Sequence, residues 1–227
     1  MVRAVSLAGI LAVLIILCSC TSDGSVKIKF DTKEYITDKM SIKAQIPKFS
    51  GMPDREFENT LNDGYEKDIE AWIDEFTAEV DANTVSEFDL QNCIRYNRNN
   101  FISIVSEIYT FTGGAHGTTS WVAKNIDVSQ SKILLLGDLF KPEEDYKAVI
   151  NRTMLEMAEN NKEDYGTLWE QPILSDKQQS DFYIEDGKLV IYYPPYELSY
   201  YARGFVEFPI PLEDLQSYLK DEYKMLI

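Results

Sequence analysis

The chain has 227 residues, 44% hydrophobic and 26% charged, the composition of a folded globular protein with one large domain or two small ones. Lys and Arg number 22 against 38 Asp and Glu, a formal charge of -16, which argues against a nucleic-acid binder because such proteins neutralise phosphates with basic side chains. Of the 3 Cys two lie in the first 20 residues, and there is 1 His, so a disulfide framework and a multi-cysteine zinc site are excluded and no metal or cofactor is expected.

The chain opens Met1-Val2-Arg3, followed by an uncharged apolar run from Ala4 to Leu17. At about 1.5 Å of helix rise per residue this run reaches roughly 21 Å, short of the roughly 30 Å bilayer core, and so fits a signal-peptide core better than a transmembrane helix. Leu17-Cys18-Ser19-Cys20 then resembles the lipobox of bacterial lipoproteins, which implies cleavage before Cys20 and lipid on its sulfur and amine. An ordinary secretory signal and an uncleaved anchor are the alternatives. Removing residues 1–19 takes away Arg3 alone among the charged residues, so 21 basic side chains face the 38 acidic ones, a charge of -17. An acidic product on the outer face of a bacterial membrane is expected. Disulfides are favoured in such surroundings, but Cys93 has no second cysteine in the exported part, and a buried packing role is expected for it.

Residues 20–25 read as a tether. Val26 to Phe30 and Met40 to Ile46 alternate apolar and polar residues, the pattern of two strands, closed by Pro47 and Ser50-Gly51. Phe57, Leu61, Tyr65, Ile69, Trp72, Ile73, Phe76 and Val80 recur at three- and four-residue steps, which predicts a long helix lying on a sheet. Phe88 to Asn97 and Phe101 to Phe111 are strands about the Asn99-Asn100 turn. The second is apolar on both alternating faces and is placed centrally in its sheet. Thr118 to Val128 and Ile133 to Leu136 follow as strands, then a helix over roughly residues 143–161. Asp181–Glu185, Asp186-Gly187 and Lys188–Tyr193 spell a tight hairpin. Phe205 to Ile210 is one more strand, and Leu212 to Leu219 reads as a closing helix. The class is α+β, an antiparallel sheet with helices packed to one side, divisible into two small α+β subdomains at residues 26–88 and 89–227.

Two segments stand out. Thr112-Gly113-Gly114-Ala115-His116-Gly117 supplies backbone that tolerates positive φ and lets a ligand approach the main chain. It lacks the lysine and spacing of a phosphate loop. His116, the one side chain titrating near neutrality, reads as a hairpin residue, a partner contact or a base. A nucleophile relay through it lacks a Gly-x-Ser-x-Gly elbow. The run from Tyr192 to Gly204 holds five Tyr around Pro194-Pro195. Its rings read either as stacking surface for sugars or proteins or as a packed corner. Paired carboxylates for glycoside hydrolysis remain open, although no spacing selects a pair.

Tyr109 to Gly117, Gly137-Asp138-Leu139-Phe140, Asp181-Phe182-Tyr183, Tyr193 to Gly204 and Glu207-Phe208-Pro209-Ile210-Pro211 occur in order. Together they resemble an extracytoplasmic domain of unknown function. That domain is shared by the C-terminal part of lysozyme-responsive anti-sigma factors and the accessory region of a peptidoglycan deacetylase. The resemblance covers residues 96–219; residues 26–90 are similar, by pattern, to the smaller domain that precedes it. The family usually has Pro where Tyr200 stands and a small residue where Arg203 stands. No deacetylase catalytic domain follows and three residues precede the apolar run, so neither deacetylation nor sigma-factor binding is expected to carry over.

The expectation is therefore a non-enzymatic, lipid-anchored envelope protein recognising lysozyme, another basic protein, or peptidoglycan. Tyr109, Gly113, Gly114, His116, Gly117, Tyr196, Tyr200 and Tyr201 are the candidate contacts. A wall-acting hydrolase and a structural lipoprotein without a ligand site are the alternatives. The acidic charge points towards a basic partner on its own account.

Overall fold

The computed structural model describes residues 26–227 except Ala82. The leader, the lipidation site Cys20 and the tether therefore lie outside the described residues.

The class is α+β with two sheets. Strands β1 (Lys27–Ile36), β2 (Met40–Ser50), β3 (Ser86–Arg98), β4 (Phe101–Phe111), β5 (Thr118–Asp127) and β6 (Lys132–Leu134) lie side by side in chain order. Helix α1 (Arg55–Glu79) connects β2 to β3, and the short strands β7 (Phe182–Glu185), β8 (Lys188–Tyr193) and β9 (Val206–Pro211) form the second sheet. Helices α2 (Tyr146–Asn160) and α3 (Lys162–Tyr165) precede it. Every strand pair is antiparallel as expected save β2–β3, which is parallel. The cause is α1: a helical crossover returns the chain to the end of the sheet from which β2 started. Residue 88, where the sequence changes character, lies inside β3 and hence inside a continuous sheet.

Asp54 caps α1, its carboxylate accepting from the Glu56 and Phe57 amides at 3.0 Å each. The stripe Leu61, Tyr65, Ile69, Ile73 and Phe76 is buried against the six-stranded sheet, each such side chain stabilising by about 1.5–3 kcal/mol before entropy is counted. Ile102, Ile104 and Ile108 of β4 meet that stripe. Val105, one residue out of phase, packs instead with Tyr183, Val190 and Tyr192 of the small sheet. Strand β4 is thus covered on both faces, which is why its sequence is apolar on both. The two sheets are also joined by polar groups: the Ser103 hydroxyl donates to Asn125 Oδ1 (2.6 Å) and accepts from the Ile184 amide (3.0 Å), and Asn125 Nδ2 donates to the Phe182 carbonyl (2.8 Å). The outer face of the small sheet, with Phe182, Ile184, Leu189, Ile191 and Tyr193, packs with Val149, Ile150 and Met154 of α2. The helices are therefore divided between the two outer sides of the layered pair.

Three local expectations are corrected. Pro47 lies within β2, beyond the last β2–β3 rung at Ala44–Leu90, where the strand has a neighbour on one side only and a residue without an N–H is tolerated. Cys93 is exposed, not buried. It sits where β3 has outrun its pairing with β2, just before the bulge between Ile94 and Tyr96. Leu212 to Leu219 forms only a 3-10 turn over Leu212–Leu215, anchored by Leu212, Leu215 and Leu219 in the core.

Candidate binding surface

The β4–β5 connection, residues 112–117, makes a hairpin at one end of the six-stranded sheet. Gly113 and Gly114 adopt φ of 108° and 99°, which L side chains rarely reach. A Cβ on Gly113 would stand 2.7 Å from Thr84 Cγ2, so this part of the loop lies directly on the segment leading into β3. Gly117 is buried beneath the Tyr109 ring, which occupies the space a Cβ there would need. Tyr109 and Gly117 therefore shape the loop from below, while Gly114 and His116 stand exposed.

The tyrosine run is split by its own backbone. Tyr192 and Tyr193 end β8 and point to opposite faces of the small sheet, 2% and 1% exposed. Pro194-Pro195 then ends the strand. Tyr196 follows with φ 72°, its amide donating to the Ser199 carbonyl at 3.0 Å. Tyr196 and Tyr200 emerge 61% and 47% exposed. Tyr201 opens a 3-10 turn that closes on Gly204 at φ 74°. The buried Ser199 hydroxyl donates to the Thr167 carbonyl at 3.1 Å, and Arg203 donates to the Asp164 carbonyl at 2.9 Å. These bonds tie the run to the α3 region.

The two segments meet. The Tyr201 hydroxyl donates to the Gly117 carbonyl at 2.6 Å, and the His116 and Tyr201 rings stack with centroids 4.4 Å apart at 19°. Tyr196 lies against Tyr201, its ring centroid 5.5 Å away at 31°. His116 Nδ1 is 2.8 Å from the same Gly117 carbonyl. A carbonyl only accepts, so Nδ1 is the donor in this contact. Of the eight residues singled out in the sequence, His116, Tyr201 and Tyr196 form a continuous ring surface, Gly113, Gly114, Gly117 and Tyr109 form its frame, and Tyr200 flanks it.

Beneath this ledge lies a layer the sequence reading passed over. Trp121 of β5 stacks on Phe205 with centroids 4.0 Å apart at 7°, meets the edge of Tyr192, and donates its Nε1–H to Glu107 at 2.7 Å. The Arg95 guanidinium stands 4.7 Å from the Tyr183 ring centroid and pairs with Glu185 at 3.1 Å. Burial, with the Asp181 carboxylate beside it, pushes the Tyr192 hydroxyl well above the usual phenol range. Burial and the Glu207 carboxylate, which accepts from Tyr183, do the same to that hydroxyl. Both stay neutral and serve packing. Trp121 was readable only as one aromatic in a strand, since its partner lies 84 residues away.

The ledge offers stacking area and hydrogen-bonding edges. The hydrogen bond described at His116 runs to a main-chain carbonyl, and its ring neighbour is a tyrosine face. Cavities of about 210 Å³ beside β7–β9 and about 470 Å³ at the α2–α3 junction are lined by other residues. Among the described residues no cluster of three or more His, Cys, Asp or Glu is placed to hold a metal ion, and no helix is long and apolar enough to cross a membrane.

Residues 33–119 match the family model "Deacetylase PdaC", and residues 137–213 match "Protein of unknown function (DUF3298)". The glycine-rich loop thus ends the first matched segment, whereas the tyrosine run lies in the second. The chain is 26% identical over 194 residues to the anti-sigma-V factor RsiV of Bacillus subtilis, covering 82% of this chain and 67% of that protein. It is 27% identical over 125 residues to the peptidoglycan-N-acetylmuramic acid deacetylase PdaC of the same organism, covering 54% of this chain and only 27% of that protein. A solved DUF3298 protein from Bacteroides fragilis shares the fold with TM-score 0.68 at 16% identity, covering 90% of this chain and 98% of its own. Another from Pseudomonas aeruginosa also gives TM-score 0.68, at 19% identity, covering 88% and 97%. Residues 33–119 are thus similar to the PdaC family model and residues 137–213 to the DUF3298 model, and the contact between Gly117 and Tyr201 runs from one matched segment to the other.

Proposed function

We propose that this chain is a non-enzymatic, lipid-anchored binding protein of the bacterial cell envelope that recognises lysozyme or peptidoglycan through the His116–Tyr201–Tyr196 ledge. The observation that carries the reading is the stack itself. Two segments 84 residues apart are brought together to hold aromatic faces at the surface, over a loop in which Gly114 stands open to solvent. Exposed, rigidly held tyrosines are the side chains from which binding surfaces draw most of their energy. The similarity to an anti-sigma factor and to a deacetylase whose name includes peptidoglycan supports an envelope setting. The lipobox-like Leu17-Cys18-Ser19-Cys20 supports attachment through Cys20 at the outer face of the membrane.

The test is capture of the full chain by immobilised lysozyme and by purified peptidoglycan at 0.15 M salt, where attraction between exposed charges is screened beyond about 8 Å. Capture by one of them that falls at least tenfold in Tyr201→Ala is expected. Retention on neither surface defeats the reading. So does turnover of a wall polymer by the purified chain that disappears in His116→Ala, which would make the protein a hydrolase.

A further inference from the structure

The two outer edges of the six-stranded sheet are built differently. Strand β6 has 3 residues, a length that offers little to another strand, whereas β1 has 10. In the small sheet β7 has 4 residues, and β9 has 6 with Pro209 and Pro211 among them. Natural edges are blunted by short strands and by proline, and β1 has neither device. Its ladder with β2 runs without a bulge from Lys27–Ser50 to Ile36–Ser41, so every second residue directs its N–H and C=O away from β2. Among the described residues no strand pairs with that side, and Asp31 to Ile36 are exposed.

We infer that this edge pairs with the same edge of a second copy of the chain, antiparallel and centred on Thr32. Two conditions select that register. The first is geometric. The outward N–H and C=O groups of β1 belong to residues of one parity, so an antiparallel self-pairing sets odd opposite odd and even opposite even. The twofold axis then passes through a residue, not between two. The second is charge, since like charges directly opposite are destabilising. An axis at Asp31 sets Asp31 opposite Asp31 and Lys29 opposite Lys33, an axis at Lys33 sets Lys33 opposite itself, and one at Phe30 sets Lys27 opposite Lys33. An axis at Thr32 has no such clash: Asp31 faces Lys33, Lys29 faces Tyr35, Phe30 faces Glu34 and Ile28 faces Ile36, each of them twice. Lysines on an edge strand ordinarily discourage pairing, but here Lys33 meets an acid across the axis. Lys33 reaches Glu70 of α1 at 3.2 Å in a pair exposed on both sides, so turning to the second copy's Asp31 costs little. Lys27, Lys29 and Lys33 against Asp31 and Glu34 also make β1 basic in a chain whose acids outnumber its bases 38 to 22, which relieves the repulsion between two copies at this edge.

This pairing needs no ligand, so it stands or falls independently of the proposed function. The experiment uses the full chain in mild detergent, with Cys18, Cys20 and Cys93 changed to Ser and a short bifunctional maleimide as cross-linker. Thr32→Cys is expected to cross-link to itself. Lys29→Cys and Tyr35→Cys are each expected to give no cross-link alone, because the two copies of either residue lie six positions, about 20 Å, apart along the strands. Mixed together they are expected to cross-link. Without the reagent, sedimentation equilibrium reads the affinity. Asp31→Lys and Lys33→Asp are each expected to weaken dimerisation about tenfold by setting like charges opposite one another, and the two exchanges combined to return it to within about threefold of the parent. All these side chains already face solvent, so the thermal midpoint should not move. A parent chain that sediments as a monomer at every concentration overturns the pairing. So does a dimer indifferent to both single exchanges, which would use another surface. Failure of the combined exchange to recover affinity also overturns it, because Asp31 and Lys33 would then not face each other.

Discussion

Thirteen consecutive residues, Tyr192 to Gly204, contain two kinds of tyrosine whose environments share almost nothing. Tyr192 and Tyr193 are core residues of β8. Tyr192 lies under Trp121 and Phe205, and Tyr193 meets the edge of Phe208 on the far side of the same sheet. Tyr196, Tyr200 and Tyr201 stand beyond the strand, where the chain turns back on itself and is tied to the β4–β5 loop. The residue type is constant, so what separates them is where the strand stops. Pro194-Pro195 withdraws two N–H groups and fixes φ. The two tyrosines before that point inherit the pleat of a buried sheet, whereas Tyr196 and Tyr200 after it face outward even though Leu198 and Ser199 between them are buried. Aromatic density alone therefore says nothing about binding.

Substitutions should reproduce this split, the core member first. Tyr193→Ala removes a ring that fills the space among Phe208, Met154 and its neighbours, and a loss of about 3–5 kcal/mol is expected. Urea denaturation of the purified protein checks it. The same truncation at Tyr196 should change stability by less than about 0.5 kcal/mol, because that ring already faces water. Equal effects at the two positions would erase the distinction. Gly117→Ala is the next largest. Its methyl would enter the space of the Tyr109 ring, and overpacking of that kind destabilises by about 1–3 kcal/mol. The damage should fall on the ledge as well, since the Gly117 carbonyl orients both His116 and Tyr201. A Gly117→Ala protein with parental stability and parental ligand capture would show that the close approach to Tyr109 has no consequence.

Most of the elements were legible because each is declared by a local period. The stripe from Phe57 to Val80 specifies α1, the two-faced run from Phe101 to Phe111 specifies a covered central strand, and Asp186-Gly187 specifies the β7–β8 turn, both residues at positive φ. What local periods do not contain is direction and partnership. Nothing in Met40 to Ile46 states that β2 pairs parallel with β3, because the decision lies in the length and packing of the helix between them. Cys93 looked like a core residue by type and is exposed by position, since the rungs of β2 end at Leu90. The site divides in the same way. The loop and the tyrosine run are visible as unusual compositions, and their resemblance to a known domain is visible in their order. Their contact, and the Trp121–Phe205 stack below it, are products of tertiary folding that no spacing announces.

Two smaller effects test how independent the halves of the tyrosine run are. Tyr201→Phe keeps the stack on His116 and deletes only the bond to the Gly117 carbonyl, so about 1 kcal/mol should be lost together with a measurable weakening of ligand capture. Acid should do the reverse. Glu58, at the other end of the sheet, accepts from the Met52 amide at 2.8 Å and pairs with Arg55 at 2.7 Å. The Met52 bond above all holds its carboxyl below the ordinary carboxylate range. A carboxyl depressed in the folded state contributes stability that is fully present above its unfolded pKa and is lost as pH falls through the folded value. Thermal midpoints measured from pH 6 down to pH 3 should therefore decline less steeply in Glu58→Gln than in the parent. Tyr201→Phe should keep the parent's slope, displaced by a constant amount. If Tyr201→Phe altered the slope instead, the ledge would be coupled to the ionic lock beside Met52, and the separation between core and surface tyrosines would not extend to their energetics.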